Sequence, residues 1–163
     1  MKWLIALPAA WLFLSCNQQG KTIPRMQTTI DSLQKQLNES YKPGLGEFMS
    51  GIQVHHAKLW FAGFNQNWLL ADFEVHEIQE SLEDVQKFCS DRPEIKSIRM
   101  IDPAIDSVNK AILRKDLASF RTSFVLLTNT CNNCHKATEH SFNVVIVPTA
   151  LPVSNQDFKP IKE

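Results

Sequence analysis

Apolar positions recur along this chain at helical spacing. From Leu45 to Phe64, the positions Met49, Ile52, His56, Leu59 and Gly63 lie three or four residues apart and so share one stripe. The segment Gly63-Phe64-Asn65-Gln66-Asn67 then reads as a turn. From Trp68 to Phe88 the stripe is Val75, Ile78, Leu82 and Val85, with acidic residues outside it. Asp91-Arg92-Pro93 ends that stretch and opens a loop. Pro103 suits the first turn of a helix capped by Asp102, and Ile105, Val108, Ala111 and Ile112 give it an apolar face that stops near Leu113. Asp116 caps a last helix, in which Leu117, Phe120, Phe124 and Leu127 lead to Cys131. Long helices with short joins predict an all-α, antiparallel four-helix bundle over residues 44–140.

The flanks differ from this core. Residues 16–43 are polar, with Met26, Ile30, Leu33 and Leu37 at helical spacing, which predicts a tether and a short amphipathic helix ending before Pro43-Gly44. That helix is a spacer or is laid against the domain. After His140 the composition turns β-branched, FNVVIVPT, and residues 141–163 carry Pro148, Pro152 and Pro160. Too short to form a sheet alone, this tail reads as one extended strap across the helices.

A chain of 163 residues is one domain by size. Lysine plus arginine and aspartate plus glutamate are 17 each, a formal net charge of zero with no basic run, which argues against nucleic acid as a partner. The N-terminus is more telling. Lys2 precedes an apolar run from Trp3 to Leu14, too short to span a bilayer and placed as a secretory signal, residues 1–15. It ends in Phe13-Leu14-Ser15-Cys16, which resembles the lipobox of bacterial lipoproteins with phenylalanine in place of the usual leucine. That resemblance implies an exported, periplasmic protein held to a membrane through a lipid on Cys16.

Export changes how cysteines are read, because an oxidising compartment admits disulfides and also haem attachment. Cys89 stands alone and reads as a buried apolar thiol near a helix end. Cys131 and Cys134 belong to Cys131-Asn132-Asn133-Cys134-His135. A zinc ribbon needs a second pair of ligands and finds no other Cys-x-x-Cys, with His140 at most a fourth ligand. A redox pair has no use for the histidine. Covalent haem c uses all three side chains: two thiols add to the vinyl groups, and the adjacent imidazole reaches the iron. The expected cofactor is haem c, bound through Cys131 and Cys134 with His135 as proximal iron ligand.

A Cys-x-x-Cys-His motif at the end of the last helix resembles the cytochrome c-prime group, which are four-helix bundles with haem attached late in the chain. The stretches HHAKLWFAG at 55–63, NWLLADFEVHEIQESLEDV at 67–85 and CNNCHKATEHSFNVVIVPTALPVSNQDF at 131–158 are also similar to a family of exported bacterial cytochrome-like proteins. Both resemblances imply the cofactor; the second implies no particular reaction.

In an up-and-down bundle, residues near 45–56, 82–89, 101–108 and 127–138 gather at one end. Met49 falls level with His135 and is the candidate sixth ligand, the methionine/histidine pair being one that raises haem potential. His56 shares the stripe about 10 Å further along and is a weaker candidate, since iron cannot sit close to both. His55 and His56 are adjacent and point about 100° apart, so at most one of them faces the haem and the other reads as a surface or capping residue. His76 reads as solvated among acids, and Met100 is a weaker rival near the same end. Trp60, Phe61, Trp68 and Phe73 cluster near the first turn and read as packing. No set of nucleophile, base and orienting group accompanies the motif, so the expected role is monohaem electron transfer rather than catalysis. The alternative is a gas-binding or sensing haem protein, taking nitric oxide or carbon monoxide at an open sixth position. The neutral charge leaves the redox partner unidentified.

Overall fold

The computed structural model describes residues 16–40 and 43–161, which contain helices and no β-strand. Residues 1–15, expected from the sequence to be a secretory signal, lie outside the described residues. The chain divides into two compact units, Met1–Lys42 and Pro43–Glu163. In the first unit, α1 runs over Cys16–Glu39 as one helix with Pro24 inside it. No helix among the described residues is long and apolar enough to cross a membrane.

The second unit holds α2 (Leu45–Phe64), α3 (Trp68–Phe88), α4 (Ile95–Ile98), a 3-10 turn (Arg99–Ile101), α5 (Asp102–Leu113) and α6 (Leu117–Ala137). Local chemistry sets the joins. Gln66 takes a left-handed φ of 60° after α2, and the Asn67 side chain then accepts the Leu70 N–H to start α3. Lys115 repeats the left-handed turn at φ 54°, and Asp116 accepts the N–H groups of Ala118 and Ser119 to start α6. Two expectations are corrected here. The loop after Pro93 is mostly helical, formed by α4 and the 3-10 turn, because Ile98 and Ile101 are buried and hold it against the core. Asp102 is the first residue of α5 rather than its cap; Ile101 takes that position without a side-chain bond.

Helix α2 packs on α3, α3 on α5, α5 on α6, and α6 on α2. Their shared core includes Leu59, Val75, Ile78, Val85, Val108, Phe120, Phe124 and Leu127, each at most 1 % exposed. Burying each large apolar side chain contributes about 2 kcal/mol against the ordering entropy. The aromatic residues form its centre, with the Trp60 ring 4.9 Å from Phe124 and Trp68 edge-on to Phe120 at 6.1 Å. Phe73, grouped with them on sequence, is half-exposed.

Gly63 makes room for this centre. A Cβ at that position would overlap three ring carbons of Phe120, itself fully buried. The tail from Glu139 has no regular structure but is fastened at intervals. Asn132 exchanges two 2.8 Å hydrogen bonds with the backbone of Val145, Asn67 donates to the Lys159 carbonyl, and Phe158 is buried 5.8 Å from the Phe61 ring.

One acid was misread from the sequence. Glu74, grouped there with the residues outside the α3 stripe, is fully buried. His55 Nδ1 lies 2.7 Å from its Oε2 and Lys58 Nζ lies 3.4 Å from Oε1. His55 is therefore neither a cap nor a free surface residue: together with Lys58 it compensates a carboxylate held out of water between α2 and α3.

Gly63→Ala is expected to destabilise the protein by about 1–3 kcal/mol through overpacking against Phe120, read as a lower midpoint in thermal and denaturant unfolding. Glu74→Gln removes the charge that answers His55 and Lys58 while keeping its volume. A loss of about 1–3 kcal/mol is expected by the same measurement.

Candidate functional site

The stripe of α6 that packs the core continues into the cysteines. Phe120, Phe124, Leu127, Cys131 and Cys134 stand four, three, four and three residues apart, so both thiols emerge on the face that is buried further up. Cys131 and Cys134 are half-buried and unpaired with one another. Cys134 Sγ lies 3.7 Å from the Ser97 carbonyl at α4. Burial pushes the Cys131 thiol up to about 11, with the neighbouring Cys134 adding to the effect, and burial also raises Cys134. Both are thiols, not thiolates, near neutral pH.

Cys131, Cys134 and His135 open into a cavity of about 400 Å³, within the range of cofactor sites. Opposite them, α2 contributes Leu45, Met49, Ile52 and His56, which share one face, and Leu82, Ile98 and Ile101 close the sides. The structure thus brings together Cys131, Cys134, His135, Met49 and His56, five of the six residues weighed on sequence as haem ligands. Cys16 is in α1, in the other unit. Met100 is half-exposed and does not line the cavity; His76 is exposed, with Nδ1 2.7 Å from the Asp72 carbonyl oxygen; Cys89 is buried at the end of α3.

His135 Nδ1 lies 2.7 Å from the Asn143 carbonyl oxygen. A carbonyl only accepts, so Nδ1 carries the proton and Nε2 keeps its lone pair. This is the arrangement by which proteins orient a metal-binding imidazole and raise its basicity.

His56 is 4 % exposed, and burial lowers its pKa to about 4, so the ring is neutral at pH 7. Its tautomer follows from Thr128. The Thr128 hydroxyl donates to the Phe124 carbonyl at 2.9 Å, so its oxygen accepts from His56 Nε2, also at 2.9 Å. His56 Nδ1 is left with a lone pair and no hydrogen-bond partner among the described residues. Thr128 carried a positional signal alone: it stands four residues after Phe124 and three before Cys131, at the spacing of the buried face of α6.

Polar residues missed from the sequence occupy another part of the wall. Arg92 Nη2 donates to Glu94 Oε1 at 2.9 Å, while Glu94 Oε2 is buried without a partner among the described residues. The Glu94 carboxyl is held below its usual range, first by a hydrogen bond from its own backbone N–H and then by Arg92. His140 donates Nδ1–H to the Thr138 carbonyl at 2.6 Å and lines the cavity as well. Among the described residues no three His, Cys, Asp or Glu side chains converge to hold a bare metal ion.

Comparison with protein-family models, with curated proteins and with solved structures finds no match.

The His56 environment predicts a pH dependence of stability. The unfolded ring takes its proton near pH 6.5 and the folded one near pH 4, so the unfolded state binds more protons in between. Stability is therefore complete above about pH 6.5 and falls as pH drops towards 4, by about 3 kcal/mol from this residue. Denaturant titrations at pH 7, 5.5 and 4.5 should show that fall in the natural chain and a flatter profile in His56→Gln.

Proposed function

We propose that this chain is a monohaem c-type cytochrome built as an antiparallel four-helix bundle, and that it transfers electrons in the bacterial periplasm while tethered to a membrane through Cys16. The observation that carries the reading is the His135 Nδ1–H donated to the Asn143 carbonyl. It leaves the imidazole lone pair in the same cavity as two neutral thiols, which are the three groups covalent haem requires.

The residues present fit that group. Cys131 and Cys134 would form the two thioethers and His135 would bind the iron on the near side. Arg92 lines the cavity and supplies a cation for carboxylates, held in place by Glu94. The apolar wall of Leu45, Ile52, Leu82, Ile98 and Ile101 keeps water away, which raises the cost of net charge and so tunes a redox potential. Bound haem supplies a one-electron iron couple; the chain positions, dries and tunes it. Met49 is the proposed sixth ligand. Its thioether makes no polar contact to give up, whereas His56 is anchored through Nε2 to Thr128 and stacked 4.5 Å from Phe124. The periplasmic, lipid-tethered part of the proposal is supported by the apolar run at residues 3–14 and the Phe13-Leu14-Ser15-Cys16 ending.

A second reading is favoured by His56. With Nε2 committed to Thr128, His56 is held away from coordination through that nitrogen, so a position not filled by Met49 would stay open to nitric oxide or carbon monoxide.

Visible spectra of the purified protein, oxidised and dithionite-reduced, with and without carbon monoxide, separate these readings. Low-spin spectra insensitive to carbon monoxide in the natural chain, lost in Met49→Leu and kept in His56→Gln, are expected for electron transfer. A high-spin spectrum that shifts with carbon monoxide replaces it with gas binding. Cys131→Ala and Cys134→Ala should each reduce covalent haem staining after denaturing electrophoresis. Staining unchanged in both would overturn the haem assignment.

A further inference from the structure

The apolar residues of α1 are placed for a partner. Ile23, Met26, Ile30, Leu33 and Leu37 are each more than half exposed, and their spacing is three, four, three, four. That is a strict heptad with Ile23, Ile30 and Leu37 at a and Met26 and Leu33 at d. The flanking e and g positions are Gln27, Gln34, Thr29 and Gln36, all uncharged. Every charged residue between Ile23 and Glu39 falls at b, c or f: Arg25, Asp31, Lys35 and Glu39. Three of these are engaged within the helix, Asp31 accepting from Gln27 at 2.9 Å and Lys35 standing 3.8 Å from Glu39.

We infer that α1 is one strand of a parallel, two-stranded coiled coil formed with a second copy of this chain. Three features choose that occupant. First, a helix packed on a globular core shows a wider face, with apolar residues at e or g as well as a and d, whereas this seam is confined to a and d. Second, a helix lying on an anionic membrane surface carries a basic polar face, whereas the outer face here has two basic and two acidic residues between positions 23 and 39. Third, uncharged e and g positions neither repel a copy nor select a charged hetero-partner, and isoleucine at a (Ile23 and Ile30) with leucine at d (Leu33) leans to two parallel strands, Leu37 and Met26 filling the remaining a and d places.

Helix propensity makes the partner necessary. Pro24 removes a backbone donor within α1, and Thr28 and Thr29 turn their hydroxyls back onto the carbonyls of Pro24 and Arg25. Most helical stability in proteins comes from packing of an amphipathic face rather than from propensity, and burying the a/d seam supplies it here. Parallel pairing also puts both Cys16 residues at the same end, compatible with two lipids entering one membrane. The inference does not rest on the haem reading.

The test uses the full chain with Cys16→Ser, so that no lipid drives association. Light scattering after size exclusion at about 100 µM, where micromolar contacts are saturated, should give twice the chain mass. Leu33→Lys should return it to the monomer mass, and Asp31→Ala should leave the dimer intact. In the same background, Ile30→Cys should oxidise with diamide to a disulfide-linked dimer at least about tenfold faster than Lys35→Cys, because only the a position faces its own copy in a parallel pair. In Leu33→Lys, an unchanged unfolding midpoint of the second unit separates loss of pairing from general unfolding, with circular dichroism falling by no more than the contribution of α1. A monomer at this concentration, a dimer that survives Leu33→Lys, or equal oxidation at both cysteine positions overturns the inference.

Discussion

One helical period organises the second unit. The face of α6 that carries Phe120, Phe124 and Leu127 into the core is the face on which Cys131 and Cys134 later stand, because their spacing continues the same alternation of four and three. Core packing therefore sets the direction of the motif. Any rotation of α6 large enough to turn the thiols away would pull two fully buried phenylalanine rings out of contact with Trp60 and Trp68. At roughly 2–3 kcal/mol for each buried aromatic, such a rotation costs a large part of the stability of an ordinary domain. The chemistry at the end of α6 needs little local support to be aimed, since the aim is inherited from the core.

The α2–α3 pair carries the opposing wall, and two tight points govern it. At one, Gly63 lets Phe120 approach the α2 backbone where any side chain would overlap the ring. At the other, Glu74 is fixed between His55 and Lys58 without access to water. A buried carboxylate adds little net stability, but it is unforgiving of misplacement, because a slip of α2 along α3 would leave it uncompensated. His55 and His56 show how that register reaches the cavity. Adjacent on α2, they differ by about 100° in direction, so fixing His55 on Glu74 turns His56 towards Thr128 and the cavity.

Much of this was legible in the sequence where regular periodicity carries it. The bounds of α2 and α3 follow from the apolar stripes, and the start of α6 follows from Asp116 acting as a cap. The motif and the α2 stripe together marked five residues that line one cavity. What was missed depends on contacts between distant positions. Glu74 does stand on the apolar stripe of α3, three residues after Ala71 and four before Ile78, but a charged residue there reads as exposed unless its partners on α2 are known. Arg92, Glu94 and Asn143 carry no period at all, and Thr128, four residues after Phe124 on the buried face of α6, carries one that does not tell what its hydroxyl does. Their roles come from a hydroxyl committed to one carbonyl, a guanidinium beside one carboxylate, and a tail carbonyl that returns to His135.

The location of the cysteines on α6 also bears on what they can do. Thiol-disulfide chemistry needs a thiolate, and proteins stabilise one at a helix N-terminus or beside a cation. Here the pair lies in the last two turns of a 21-residue helix, where the partial charge of the helix end is negative, and burial adds to the penalty. Both influences hold the protons on sulfur. A zinc site, which also takes thiolates, would work against the same penalty and would lack further ligands among the described residues. The imidazole of His135 is oriented separately, by donating Nδ1–H to the Asn143 carbonyl. Nucleophilic attack and disulfide exchange at these cysteines would each first require a proton to leave a buried sulfur.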